Sequence, residues 1–184
     1  MTQDDGNRAV ALVVALLNRI ALPYMLVGSY SSNVYGIPRA TADADFVLEF
    51  GGNAMDSLQQ ELGSDFRLDS QTEFELITGT TRRVLYYMPR DFTIELFQLS
   101  QDPFDQSRFQ RRVAVQSSLL AGVVWLPTAE DVVVQKLRWG RRQDLSDVSD
   151  VLAIQGETLD WRYISRWTDD HGTSDMLERI RSEL

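Results

Sequence analysis

Residues 26–45 read Leu26-Val27-Gly28-Ser29-Tyr30-Ser31-Ser32-Asn33-Val34-Tyr35-Gly36-Ile37-Pro38-Arg39-Ala40-Thr41-Ala42-Asp43-Ala44-Asp45, and this stretch decides the fold. Tyr24–Val27 predicts a short apolar strand that Gly28-Ser29 stops. A short helix follows over Ser31 to Tyr35, closed by Gly36 and by Pro38, which disfavours helix at Ile37. Asp43–Phe50 predicts the next strand. Strand side chains alternate faces, so Asp43 and Asp45 point the same way, roughly 7 Å apart along the backbone. Two carboxylates so close repel and raise each other's pKa unless a cation neutralises them. Magnesium does so through oxygen ligands and keeps substrate phosphates as further ligands. The plainer alternative is a solvated strand face. Gly28 lets backbone approach a phosphate, and a helix start and the Ser29 hydroxyl supply donors; taken alone, the pair is equally a strand-to-helix turn.

Working outward, Thr72 to Leu99 reads as β throughout, with strands over Phe74–Thr78, Arg83–Met88 and Phe92–Gln98 between Gly79 and the Pro89-Arg90-Asp91 turn. Glu95 lies inside the apolar run Thr93-Ile94-Glu95-Leu96-Phe97, where an unpaired charge costs several kcal/mol. It is the candidate third carboxylate for a two-cation site. Its alternative role is an ion pair with Arg82 or Arg83. Arg112–Gln116 and Gly122–Leu126 add two strands. After Pro127 the chain reads as helical, over 129–139, 143–154, 160–168 and 174–183. Lys136 is the one lysine of the chain. Helical spacing sets it with Val132, Val133 and Leu137, so it must reach solvent or an anion. Asp144 and Asp147 are candidate protein partners, and a phosphate is the functional one. Arg39, Arg138, Arg141 and Arg142 add cations nearby.

The whole chain has 184 residues and a net charge of −9, with 43% hydrophobic residues, which suits one ordinary core and excludes a disordered chain. It has no cysteine, which excludes disulfides, zinc ribbons and thiol nucleophiles. The single histidine, His171, reads as a solvated turn. The four tryptophans read as packing the tail onto the core. Acidity argues against a general nucleic-acid coat, although Arg108, Arg111, Arg112, Arg138, Arg141 and Arg142 suffice for a local RNA-binding patch. A helix over 4–20, capped by Asp4 or Asp5, is apolar nearly all round; it is buried or forms a subunit contact, which leaves room for a homo-oligomer. A turn at Gly51-Gly52-Asn53 leads to a helix near 54–62. The run Ala9–Leu17 is too short to span a bilayer and follows acidic residues, so no membrane association and a cytoplasmic location are expected.

Gly28-Ser29, Asp43-Ala44-Asp45 and Glu95, with Pro127-Thr128-Ala129-Glu130-Asp131, Gln135-Lys136-Leu137-Arg138 and Gln143-Asp144-Leu145-Ser146-Asp147-Val148, resemble the nucleotidyltransferase superfamily that shares its core with DNA polymerase β. Within it, the sequence is most similar to the small bacterial proteins grouped with AbiEii-type toxins. The resemblance covers nearly the whole chain. It implies an α+β fold: a mixed, mostly antiparallel sheet with helices mainly on one face, followed by a C-terminal helical tail. A catalytic core over 1–126 and a helical subdomain over 127–184 are expected. The resemblance further implies magnesium at Asp43, Asp45 and Glu95. It assigns Gly28, Ser29 and Lys136 to a nucleoside triphosphate; Arg39 and Asp147 are added as nucleotide-binding candidates, the plainer alternatives being a surface loop charge and a helix-start carboxylate. The implied reaction moves a nucleoside monophosphate to a hydroxyl of an RNA end, a protein or a small molecule, as in toxin–antitoxin systems. Two residues depart from the pattern: the third carboxylate is more usually aspartate, and Ser29 often stands as glycine. A non-catalytic nucleotide-binding or partner protein is the second reading.

Overall fold

The computed structural model describes residues 3–49, 58, 60–120 and 122–184. Helix α1 (Gln3–Arg19) is followed by β1 (Tyr24–Val27), α2 (Gly28–Tyr35) and β2 (Asp43–Leu48). Three strands come next, β3 (Phe66–Glu75), β4 (Thr80–Tyr87) and β5 (Phe92–Gln98). Helix α3 (Pro103–Arg111), the ribbon β6 (Val113–Ser117) and β7 (Gly122–Leu126), and helices α4 (Ala129–Trp139), α5 (Arg142–Gln155), α6 (Trp161–His171) and α7 (Ser174–Ser182) complete the chain.

The five-stranded sheet has the order β1-β2-β5-β4-β3. Only β2 and β5 run parallel; the other neighbours in it are antiparallel. The expected mixed, mostly antiparallel α+β architecture with C-terminal helices is therefore present. One core joins α1 to the sheet through Val10, Val13, Val14 and Leu17 against Phe46, Phe92, Ile94 and Leu96. Burying each such side chain stabilises the fold by about 1.5–3 kcal/mol. Gly6 admits the helix closely, since a Cβ there would stand 2.7 Å from the Phe92 ring. A second core gathers Val133, Leu137, Val148, Val151, Ile164 and Trp167 of the C-terminal helices around Phe104 of α3.

Several boundaries differ from the sequence reading. The strand expected over Phe74–Thr78 ends at Glu75, because the Glu75 carboxylate accepts from the Ile77 and Thr78 amides and Gly79 turns the chain at φ +64. That strand also begins earlier, at Phe66, and carries a register shift between Leu68 and Thr72. Helix α3 has no counterpart in the sequence reading. Asp102 caps it, accepting from the Phe104 and Asp105 amides, and Pro103 sits in its first turn, where a missing N–H costs nothing. His171 is not on a solvated turn: it ends α6 with its ring edge-on to Phe104 at 5.1 Å. The Asp4 and Asp5 side chains and the Gly51-Gly52-Asn53 turn lie outside the described residues. Of the helix expected near 54–62, residues 58 and 60–62 are helical. No described helix is long and apolar enough to cross a membrane.

Candidate active site

The parallel pairing of β2 with β5 sets Asp45 beside Glu95 in register, and Asp43 and Asp45 share a face of β2. All three line a cavity of about 620 Å³, together with Gly28, Ser29, Arg39 and Lys136. On the other side of β2, Val27 pairs with Asp45, so Gly28 begins α2 next to that carboxylate. Gly28 has φ +63, and a Cβ on it would lie 2.0 Å from Asp45 Oδ2. Only glycine fits both the backbone and the space. No side chain caps α2, and the Ser31 and Ser32 hydroxyls donate back to the Gly28 carbonyl.

The Asp45 carboxylate receives no hydrogen bond or ion pair among the described residues. Burial, then Glu95 and Asp43, push its carboxyl up to about 7 against the weaker pull of Lys136 and Arg141. Asp43 is exposed and accepts a bond from the Thr41 hydroxyl at 3.0 Å. Glu95 is engaged otherwise. Arg82 Nη1 donates to Glu95 Oε2 at 2.7 Å, while Nη2 bonds Glu73 and the guanidinium lies 5.9 Å from the Phe97 ring centre. The ion-pair reading of Glu95 thus describes this state of the molecule. The cation-holding reading would require Arg82 to withdraw.

The nucleotide-side residues form one ionic chain. Arg39 donates to the Ser29 hydroxyl at 2.9 Å and through Nε to Asp147 at 3.1 Å. Lys136 Nζ meets Asp147 at 2.7 Å and Asp144 at 2.9 Å, and Arg141 closes the chain on Asp144 at 2.6 Å. Burial works to raise the Asp147 pKa, but bonds from Arg39 and Lys136 overcome it and hold it at about 2. Asn33 fixes the loop, its Nδ2 donating to the Arg39 carbonyl and its Oδ1 accepting from the Arg39 amide. Gly28, Ser29, Arg39, Asp43, Asp45, Glu95 and Lys136 therefore line this cleft, while Asp147 stands behind it, bonded to Arg39 and Lys136, and Arg138 and Arg142 do not line it.

An oxygen-rich, uncompensated carboxylate is the donor a hard divalent cation takes. Asp43 and Asp45 fit magnesium on that chemistry. Among the described residues, however, no three acidic or histidine side chains are grouped as a metal-holding set, which agrees with Glu95 being tied to Arg82.

The sequence reading missed Thr41, whose hydroxyl orients Asp43, and the buried Asp105–Arg108 pair, which also lines the cavity. Trp139 lines the cavity rather than only packing the tail. The arginines offered for an RNA patch are largely consumed: Arg108 by Asp105, Arg111 by Glu130 and Asp131, Arg138 by Asp102, and Arg141 by Asp144. A nearby acidic residue in sequence signals only two of these pairs, the i,i+3 contacts of Arg108 and Arg141.

No family model and no curated protein matches the sequence. Solved structures do match its fold. A nucleotidyltransferase-like antigenic protein from Paracoccidioides brasiliensis superposes with a TM-score of 0.60 at 17% identity, over 96% of this chain and 92% of that one. ANT(2'')-Ia in complex with adenylyl-2''-tobramycin matches with a TM-score of 0.59 at 11% identity, over 90% and 95%. The solution structure of the same antibiotic-resistance factor gives 0.55 at 11%, over 95% and 96%. The fold is that of the nucleotidyltransferases.

Proposed function

We propose that the protein is a magnesium-dependent nucleotidyltransferase that moves a nucleoside monophosphate from a triphosphate to a hydroxyl acceptor. One observation carries the reading. The half-buried Asp45 carboxylate has no hydrogen bond or ion pair among the described residues and stands beside two further acidic residues, in a cavity that Lys136 also lines. Such a group is destabilising unless a ligand completes it.

Asp43 and Asp45 would hold magnesium, which supplies neutralisation of phosphate charge. Ser29, the uncapped start of α2 and Arg39 would bind and orient the β and γ phosphates. Lys136 would share its charge between them and its two carboxylates. Glu95, released from Arg82, would accept the proton of the acceptor hydroxyl. The acceptor oxygen then bonds the α phosphorus, the bond from that phosphorus to the bridging oxygen breaks, and pyrophosphate leaves.

For the acceptor we favour a small-molecule hydroxyl. The net charge of −9 and the engaged arginines weigh against an RNA surface. The fold neighbour carrying adenylyl-2''-tobramycin offers a model acceptor. The likeness in sequence to AbiEii-type toxins keeps an RNA end or a protein hydroxyl as the next class to try. A non-catalytic nucleotide-binding protein is the second reading, favoured by the Arg82–Glu95 pair that neutralises the third carboxylate.

The test is pyrophosphate release from each of the four nucleoside triphosphates, with and without magnesium, offering tobramycin, bulk RNA or protein as acceptor. Magnesium-dependent release that Asp45→Asn abolishes is expected. Nucleotide that binds and is never consumed would select the second reading. A chain that neither binds nor consumes triphosphate would reject both.

A further inference from the structure

Past Val47 and Phe97, the cavity continues along the ends of β2 and β5 to Gln98, Ser100, Asp105 and Arg108, faced by Val132 and Gln135 of α4. The proposed transfer chemistry uses none of these groups. Helix α3 runs antiparallel along α4: Asp102 at its start bonds Arg138 near the end of α4, and Arg111 at its end bonds Thr128, the cap of α4. Asp105 and Arg108 therefore face the middle of α4, where Val132 and Gln135 lie.

Arg108 is almost wholly buried, its side chain 6% exposed, with Nε 2.9 Å from Asp105 Oδ1. The Ser100 hydroxyl holds the other oxygen of Asp105 at 2.5 Å. No hydrogen bond is made by the guanidinium of Arg108 among the described residues, and the Gln135 Oε1 atom is likewise buried without a partner. An unsatisfied buried group such as Gln135 Oε1 costs about 1–3 kcal/mol, and beside it Arg108 is ion-paired to Asp105 without a well-aligned hydrogen bond, so the two lining one cavity ask for a ligand.

The chemistry narrows that ligand. Asp105 already neutralises Arg108, so the subsite carries no net charge and a phosphate is not its complement. An ammonium group would meet the guanidinium. What fits is a neutral, planar edge carrying a hydrogen-bond acceptor for Arg108 beside an N–H for Gln135, with Val132 and Phe97 as apolar walls. A nucleobase presents such an edge. We propose that this recess takes the base of the nucleotide, and that Gln135 and Arg108 determine which base is accepted. The inference rests on the nucleotidyl-transfer reading and adds the residues that read the base.

Calorimetric titration of the full chain with magnesium and each of ATP, GTP, CTP and UTP tests it, with inorganic tripolyphosphate as a ligand that lacks a base. Removing Arg108 alone would strand Asp105, so the variants are Gln135→Met, which conserves shape, and the paired change Asp105→Asn with Arg108→Gln. The wild type should prefer some bases over others. Gln135→Met should weaken its preferred nucleotide about tenfold, flatten the preference and leave tripolyphosphate binding as it was. Unaltered nucleotide affinities in both variants, with tripolyphosphate still bound, would overturn the inference alone. In a parallel titration with tobramycin, a loss confined to that ligand would overturn it in favour of an acceptor site. A wild type that binds neither tripolyphosphate nor nucleotide would remove the transfer reading, and the base subsite with it.

Discussion

Gly28 and Asp45 are fitted to each other: at the first residue of α2 the chain turns with φ +63, and the space a side chain would need is held by Asp45 Oδ2, 2.0 Å from where a Cβ would stand. The pair joins the phosphate-side turn to the carboxylate strand. A side chain at position 28 would have to displace the Asp45 carboxylate.

Gly28→Ala is therefore expected to destabilise the protein well beyond the strain of a left-handed alanine, which is about 1–2 kcal/mol. Gly79 is the control, since it has φ +64 but nothing within 4 Å of its would-be Cβ. Gly79→Ala should show the backbone strain alone. Denaturant melts of the two variants measure the difference. Equal losses would mean that Asp45 gives way freely and that the fit is not tight.

Asp45 also sets a pH dependence. Its folded pKa of about 7 lies above the ordinary value of 3.8, so the folded state binds the proton more tightly than the unfolded chain. Its contribution to stability is fully present below pH 3.8 and is lost as pH rises through about 7. Without divalent cations, stability should fall across that window, and Asp45→Asn should flatten the fall. Asp147 is shifted the other way, to about 2, so its contribution holds above its unfolded pKa and disappears only in strong acid. Chemical melts from pH 4 to 9, with and without magnesium, read the Asp45 effect, and their extension down to pH 2 reads that of Asp147. Added magnesium should restore stability at pH 8 in the wild type and not in Asp45→Asn.

The alternation that places Asp43 and Asp45 on one face was legible in the sequence, because period-2 geometry needs no tertiary information. So was the place of Lys136 beside the apolar stripe of α4, with Asp144 and Asp147 among its candidate partners. The sequence leaves open its choice between solvent, phosphate and these carboxylates, and the structure gives the carboxylates. What stayed illegible came from pairings between distant segments and from turn chemistry. Asp69-Ser70-Gln71 interrupts the apolar alternation of β3, and the register shift that absorbs it is fixed only by β4. Pro103 reads as a break, yet Asp102 makes it the start of a helix. Glu95 was open between two roles, since only the β4–β5 register decides that Arg82 reaches it.

Lys136 separates structural from surface charge in the ionic chain. Its side chain is 8% exposed and serves two carboxylates that are themselves buried, whereas the Arg141 side chain is 67% exposed. Lys136→Met strands Asp144 and Asp147 and should cost about 3–5 kcal/mol. Arg141→Met should cost about 1 kcal/mol or less. Thermal melts at pH 7 rank the two, and similar losses would show that Arg39 and Arg141 suffice to hold the carboxylates.

The last expectation concerns Arg82, which bonds Glu95 and Glu73 at once. Its side chain is 28% exposed and that of Glu95 21%, so the pair contributes only modestly to stability, on the order of 1 kcal/mol. Its larger effect is on the cleft, where a fixed guanidinium competes with any cation for Glu95. Arg82→Ala should leave the melting temperature almost unchanged and lower the magnesium concentration needed for half-maximal thermal stabilisation about threefold or more. Glu73→Gln should have the opposite sign, because an Arg82 freed from Glu73 commits both nitrogens to Glu95 and to the site. Magnesium titrations followed by melting temperature, with no nucleotide present, measure this directly. Identical midpoints in the wild type and both variants would show that Glu95 takes no part in holding the cation, leaving Asp43 and Asp45 to hold it alone.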